Sequence, residues 1–540
     1  MSHGPLPGLA LLAWIPLSIF IFARYSAPRA TVICIFGAHL FLPELAAFDF
    51  PLVPPMDKDR LSSLTALVLL WMFHPRRVAD CGPYTLIGLL FTAQLVQEFG
   101  SVFTNQDGLS YGIWRVTHLP GLTPRDALSG GIRTFLDLAV PFWVGRMCFG
   151  SSRDLREGLR QFVWLGIIYL PLVAWELRMS PNLHTYVYGY PPHSDFLQTV
   201  RWGGWRPQVF TRHGLTLAMD MLGVFLLAVA LGRARVQVWS HSAKLLNVVL
   251  GAMLLLCKST GAILYGLFSF PLLRSFSPRW ILRVAVSLAL VALTYPYTRA
   301  TGLFPTEYLL EQAEKISKDR ADSLAFRFHH EEVLLEKALE RPVFGWGGYG
   351  RNRVYHPGNG EDLSVTDGAW VLFMGTGGLV GLFLTFFYLA YPVLHAWLVS
   401  SKVRRLGDRV LMSAVALYLS LTLVDLLPNA GLGPVQLLLA GMLAAVARFL
   451  PHEEDAPGPA PWASAYVPVP GVPGAAPGWV GGPVPVQQGW APGPGAVPPA
   501  GPHPPGWADP RAGIAPDPAG PEETTSPGAP PGRPGQRGKG

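Results

Sequence analysis

The chain has 540 residues, of which 50% are hydrophobic and only 14% charged. Soluble domains carry about 25% charge, so the composition excludes an ordinary soluble enzyme and points to a membrane protein. The net charge of +7 fits basic residues packed into short loops between apolar runs, where they fix orientation, better than it fits a nucleic-acid partner.

The first apolar run, Leu6–Ala23, has no basic residue before it and is followed by Arg24 and Arg29, the pattern of an uncleaved anchor with its start outside. A bilayer core needs about 20 apolar residues per helix. About thirteen candidate runs follow, near 6–23, 30–47, 61–74, 83–98, 126–149, 159–176, 214–232, 243–257, 260–273, 280–296, 377–399, 409–427 and 432–449. Because the third, eighth and ninth are short, the expected fold is an all-α polytopic bundle of about 12–13 spans. Cys34, Cys81, Cys148 and Cys257 lie in or beside these runs without paired spacing, which predicts neither disulfides nor a metal site.

Basic residues sort the connections. Arg76 and Arg77, Arg153 with Arg156 and Arg160, Arg233 with Arg235, Arg274 with Arg279, and Lys402 with Arg404 and Arg405 fall on alternating loops, and that side is expected to be cytoplasmic. Two long loops, 177–213 and 297–376, then share the extracytoplasmic side. Within the larger one, 306–340 carries apolar residues at helical spacing among charges, predicting two amphipathic helices at the membrane surface. Pro342 ends the second, and FGWGGYG forms a turn. From Pro451 about half of the residues are Pro or Gly, so 451–540 is expected to be a disordered cytoplasmic tail, either a solvated tether or a docking strip. The remaining chain divides into N-terminal helices over 1–158 and a membrane domain over 159–450.

Candidate chemistry gathers on the two long loops. Arg201, Arg206, Arg212 and His213 crowd before the run at 214. Guanidinium groups suit phosphate because they stay charged and offer paired donors, while Arg and Trp here also fit interfacial anchoring. For Arg201 anchoring is the favoured reading, and for Arg206 a functional one. In the larger loop Arg327 precedes HHEE. Adjacent histidines on a helix point apart, so His329 and His330 make no chelating pair. Asp367 lies just before the next run, where a carboxylate serves either as a helix N-cap or as a general base facing the headgroup layer. Arg133 and Asp137, four apart, can pair on one helix face, and Asp220 and Asp425 are further intramembrane charges.

Three stretches together resemble the O-antigen ligase and polymerase superfamily of polytopic bacterial glycosyltransferases. RPQVFTRHGLTLA resembles the family's arginine motif before a transmembrane helix. LLLCKSTGAILYG resembles its turn between two helices, with Lys258 in a basic role. RFHHEEVLLEKALERPVFGWGGYG with DGAWVLFMGTGGLVG resembles its large-loop signature. The likeness covers roughly 160–400. It implies a metal-independent enzyme without cofactor in the bacterial cytoplasmic membrane, its active site extracytoplasmic. The implied reaction transfers or polymerises undecaprenyl-diphosphate-linked saccharide onto a saccharide or lipid acceptor, beside other polysaccharide-assembly proteins. By this resemblance Arg206 and Arg327 meet the diphosphate, and Asp367 stands where the family has a histidine. Arg212, His213, Lys258 and Arg201 would line the substrate site. The departure at Asp367 fits a polymerase better than a ligase. A lipid-linked saccharide flippase is the rival from another class, and a scaffold working through the tail is a third reading.

Overall fold

Each apolar run carries a helix over most of its described residues. In the computed structural model of the protein, residues 4–50, 53–79, 86–193, 195–238, 242–365 and 367–453 are described. The helices are α1 (Pro5–Arg24), α2 (Ala27–Phe41), α3 (Lys58–Phe73), α4 (Pro75–Ala79), α5 (Leu86–Phe103), α6 (Pro124–Thr134), α7 (Val140–Cys148), α8 (Ser152–Met179) and α9 (Leu183–Tyr188). After them come α10 (Gly214–Arg233), α11 (Ala243–Leu256), α12 (Thr260–Ser275), α13 (Pro278–Ala300), α14 (Thr306–Ile316), α15 (Lys318–Leu339), α16 (Ala369–Val399), α17 (Leu406–Asp425) and α18 (Pro434–Phe449). The tail expected to be disordered lies outside the described residues from 454 onward, as does Cys81.

Against the expected 12–13 spans, seven helices among the described residues are long and apolar enough to cross a membrane: α1, α8, α10, α13, α16, α17 and α18. For α2 and α11 the physical reason is length. Helices α2 and α11 have 15 and 14 residues, and such a helix covers about 22 Å against the ~30 Å of hydrocarbon. Among the spanning helices α10, α17 and α18 are the most enclosed, with 83–89% of their apolar windows buried. They form the centre of the bundle, and the more exposed α1 and α13 flank it. Helices α7 and α18 touch through glycine: a Cβ at Gly145 would strike the Leu438 carbonyl, and one at Gly441 the Phe142 carbonyl. Small residues at such contacts let helix backbones approach closely.

Charges inside the bundle are placed differently from expectation. Arg133 and Asp137 do not pair. A π-type turn over Phe135–Ala139 separates α6 from α7, and its wider winding removes the simple four-residue register between them. Asp137 instead takes a forked contact from Arg60, at 2.6 and 3.0 Å. Asp220 is fully buried and meets His39 Nε2 at 3.1 Å, while His39 Nδ1 lies 3.4 Å from Asp59. Asp425 stands elsewhere, at the end of α17, accepting from the Asn429 side chain at 3.0 Å.

Both long loops are ordered by the helices they leave. The two amphipathic helices expected over 306–340 are α14 and α15. The glycine-rich turn after α15 docks backbone to backbone on α16: Trp346 N donates to the Gly375 carbonyl and Gly347 N to Thr376, each at 2.8 Å, while Leu379 N donates to Pro342 at 2.8 Å. Gly378 makes this possible. It adopts φ +65° inside α16, a region that favours glycine, and a Cβ there would strike the Val343 carbonyl. A third connection, 104–123, clasps the same turn. Its hairpin pairs Leu109–Tyr111 with Thr117–Leu119, and fully buried Arg351 donates to the carbonyls of Asp107 and Pro120 at 2.7 and 2.8 Å.

Candidate functional site

Arg327 projects from α15 and Asp367 stands one residue before the N-cap of α16. Their side chains meet, with Arg327 Nε 3.5 Å from Asp367 Oδ2, both roughly half exposed. The N-cap reading of Asp367 fails. Gly368 is the N-cap and no side chain caps this helix. Ala369 N donates to the carbonyls of Leu426 and Asn429, both at 3.0 Å, so the backbone at the end of α17 does the work of a cap. A Cβ at Gly368 would strike the Leu427 carbonyl, so the glycine permits this approach and the Asp367 carboxylate is left for Arg327.

The pair borders a cavity of about 240 Å³ walled by Tyr265 of α12, Tyr295 of α13, Phe326 and His330 of α15, and Leu427 after α17. The cavity is apolar apart from its charged rim. His330 packs on Phe326 with ring centroids 4.3 Å apart, while the His329 and His330 rings lie 5.5 Å apart. Among the described residues no group of three His, Cys, Asp or Glu side chains could hold a metal ion.

A buried pair fixes the roof. Arg299 Nε meets Glu331 Oε1 at 2.7 Å with the two side chains only 8% and 12% exposed. Tyr295 donates to the same carboxylate at 2.8 Å, and Arg299 also donates to Thr306 Oγ1 at 2.9 Å. Glu331 lies four residues after Arg327 on α15, hence on the same face. This staple from α13 therefore sets where Arg327 points. The sequence reading passed over it. Its signal was the acidic half of HHEE at helical spacing from Arg327.

Arg206 comes from the other loop. Its guanidinium donates to the Lys258 carbonyl, from Nη2 at 3.0 Å and Nε at 3.4 Å. Lys258 sits at the α11–α12 turn with φ +50°, and its Nζ donates back to the Arg201 carbonyl at 3.2 Å. Among the described residues no carboxylate lies within ion-pair distance of Arg201, Arg206, Arg212 or Lys258. Burial, with the charge of Arg201 added, pushes Arg206 down to about 10, still far above neutrality. His213 stacks at a tilt on His193, ring centroids 4.4 Å apart, and burial beside His193 and Arg212 lowers it to about 4. Arg201 and Arg212 are exposed.

The Arg206 segment is held by a second residue that sequence reasoning missed. Glu176, fully buried at the end of α8, accepts from the backbone N–H of Gln208 and Val209 at 2.8 and 2.7 Å and from Leu183 at 3.1 Å. Val209 has φ +51°, a conformation unusual for a β-branched residue. The carboxylate holds that bend in place.

The α11–α12 turn receives the Arg206 segment, and α12 then runs on to the cavity wall. Arg206 bonds to Lys258, two residues before α12. The Cβ position of Gly261 is 3.9 Å from Asp425 Oδ1, and Asp425 ends the helix whose next residues line the cavity. From Lys258 to Tyr265 in the cavity wall is about 10 Å along a helix. Arg206 and Lys258 therefore stand outside the cavity lining, about two helical turns along α12 from its wall at Tyr265. Of the site residues read from sequence, Arg327 and Asp367 come together at the cavity, Arg206 joins Lys258 and Arg201 at the α11–α12 turn, and Arg212 and His213 lie along the same loop outside the cavity lining.

No protein-family model matches this sequence, and no curated protein matches it. The chain is a multi-pass helical membrane protein, with seven helices among the described residues long and apolar enough to span the bilayer.

Proposed function

We propose that the protein is a membrane glycosyltransferase that transfers or polymerises saccharide units carried on undecaprenyl diphosphate, at the outer face of the cytoplasmic membrane. The observation that carries this reading is the Arg327–Asp367 pair on the rim of an apolar cavity, with Arg206 held just before α12, the helix that supplies Tyr265 to the cavity wall.

In the proposed reaction the acceptor sugar hydroxyl lies against Asp367, which removes its proton as the oxygen attacks the donor's anomeric carbon. The bond from that carbon to the phosphate oxygen breaks, and its electron pair leaves on the diphosphate. Arg206 and Arg327 receive the developing charge. Donors aimed at developing charge contribute about 3–4 kcal/mol each in comparable sites. The resting contact between Arg327 and Asp367 has a role in this scheme. A diphosphate that takes Arg327 frees the carboxylate for the acceptor. The polymerase form is favoured over the ligase form by the carboxylate at 367.

The test is transfer in proteoliposomes containing the purified protein and lipid-linked repeat units, with chelator present. Elongated polymer supports the reading, and its absence with intact protein contradicts it. One observation favours a second reading, proton-coupled transport of a lipid-linked saccharide: the buried Asp59–His39–Asp220 chain, since such groups serve as proton relays in transporters. Proton uptake coupled to lipid translocation, without polymer, would select it.

A further inference from the structure

The opposite end of the bundle holds a second cavity, of about 520 Å³, where α8 and α17 begin and α2 starts its course. Five arginines line it: Arg29, Arg153, Arg156, Arg160 and Arg405, against the single lining carboxylate of Glu157. We propose that this cavity binds a phosphate-bearing anion with at least two negative charges.

The side-chain partners are unequal to the charge. Arg156 is engaged by Asp408, at 2.8 and 3.0 Å, and Asp408 is 1% exposed. Arg29 Nε donates to Gln161 at 2.9 Å and the guanidinium lies 4.3 Å from the Tyr25 ring centroid. Glu157 accepts from Ser26 Oγ at 2.6 Å. Arg153 and Arg160 have no carboxylate within ion-pair distance among the described residues. They are seven residues apart on α8 with Arg156 between them, so three like charges share one helix face and repel. Exposed arginines here serve orientation in the membrane, and a multivalent anion would in addition relieve their repulsion.

An independent observation shows that the wall accepts anionic oxygen. Glu453, just past α18, places one carboxylate oxygen 2.9 Å from the backbone N–H of Ser152 and the other 3.9 Å from Arg405. Both Ser152 and Arg405 line the cavity. The N–H is the first of α8, where the helix dipole favours negative charge. A phosphate would take the same donors, adding the paired donors of Arg153 and Arg160. Trp164 and Val236 give the cavity an apolar border, which suits a headgroup attached to acyl chains, while the volume lies in the range of small-molecule pockets. This inference does not depend on the transfer reaction proposed above.

The experiment uses the full chain in nanodiscs of phosphatidylcholine alone. One arm replaces part of that lipid with cardiolipin and measures bound lipid by native mass spectrometry. A second adds sodium pyrophosphate or ATP in solution and measures binding by the shift in thermal unfolding. Wild type is expected to bind at least one of these, with affinity lowered about tenfold or more, the range that loss of charge-assisted contacts produces, in the Arg153→Ala/Arg160→Ala double variant. Binding in the first arm alone identifies a lipid headgroup, in the second alone a soluble phosphate compound, and in both a general diphosphate site. Glu453→Gln, which removes the competing carboxylate, is expected to tighten binding severalfold and provides the test if the double variant is poorly folded. No binding in either arm, equal binding by the double variant, or unchanged binding by Glu453→Gln overturns the proposal.

Discussion

Arg206 and Arg327, from separate loops, are held under opposite conditions. Arg206 is partly buried and held by the Lys258 carbonyl with no carboxylate beside it. Arg327 is half exposed and already faces Asp367. A guanidinium bonded only to a neutral carbonyl keeps its full charge for an incoming anion. One that rests against a carboxylate must exchange partners when an anion binds. Under the proposed reaction the difference would assign the two arginines different moments: Arg206 attracting the diphosphate, and Arg327 coupling its arrival to the release of Asp367.

The largest effect tests that division at Asp367. Asparagine keeps the size but cannot act as an ordinary carboxylate base, so Asp367→Asn is expected to lower transfer by about 10²–10⁴-fold. Because no side chain caps α16, membrane abundance should hold. Polymer at the wild-type rate would make the residue a mere partner of Arg327. Next, Arg206→Lys keeps charge but loses the fork, and transfer should fall about 10²-fold, the scale of one lost transition-state donor. Equal activity would mean that Arg206 only anchors its loop.

Two ion pairs on one face of α15 sharpen the contrast through stability. Glu331→Ala leaves Arg299 buried without its partner, and breaking such a pair costs about 3–5 kcal/mol. A large loss of thermal stability in detergent is expected. A double-mutant cycle on Arg327 and Asp367, which are half exposed, should give about 0–1 kcal/mol. Similar values for both pairs would remove the distinction between staple and switch.

The smallest effect lies at His213. Its folded value, about 4, is below the ordinary 6.5 because burial disfavours the charged ring. The unfolded chain therefore binds a proton that the folded one refuses. Stability should fall as pH drops from about 6.5 towards 4, and that slope should flatten in His213→Gln. An unaltered pH profile in the variant would place the dependence elsewhere.

The helices were legible because apolar runs at this density leave little choice of structure. Their number as spans was not, since hydropathy alone does not reveal that α2 and α11 stop short of a bilayer's thickness. The two halves of α15 and α14 showed in the spacing of Leu309, Leu334 and Leu335 among charges. At the site, Arg206 and Asp367 stood out as polar residues ahead of apolar runs, and Arg327 through the large-loop signature in an amphipathic helix. Their supports did not. Glu176 reads from sequence as a charge at a helix end, and only the folded chain brings it to the backbone of Gln208 and Val209. Arg133 and Asp137 misled because a π-type turn, invisible in residue spacing, intervened and Arg60 from a distant helix claimed the aspartate.

The central claim is that Arg206 and Arg327, from separate loops, serve one diphosphate. Its most direct test is the affinity of undecaprenyl diphosphate for the purified protein in nanodiscs, compared across wild type, Arg206→Lys and Arg327→Lys. The account predicts that each substitution weakens binding about tenfold or more, the scale of a lost bidentate contact. Binding that is unchanged in either variant would contradict a shared site.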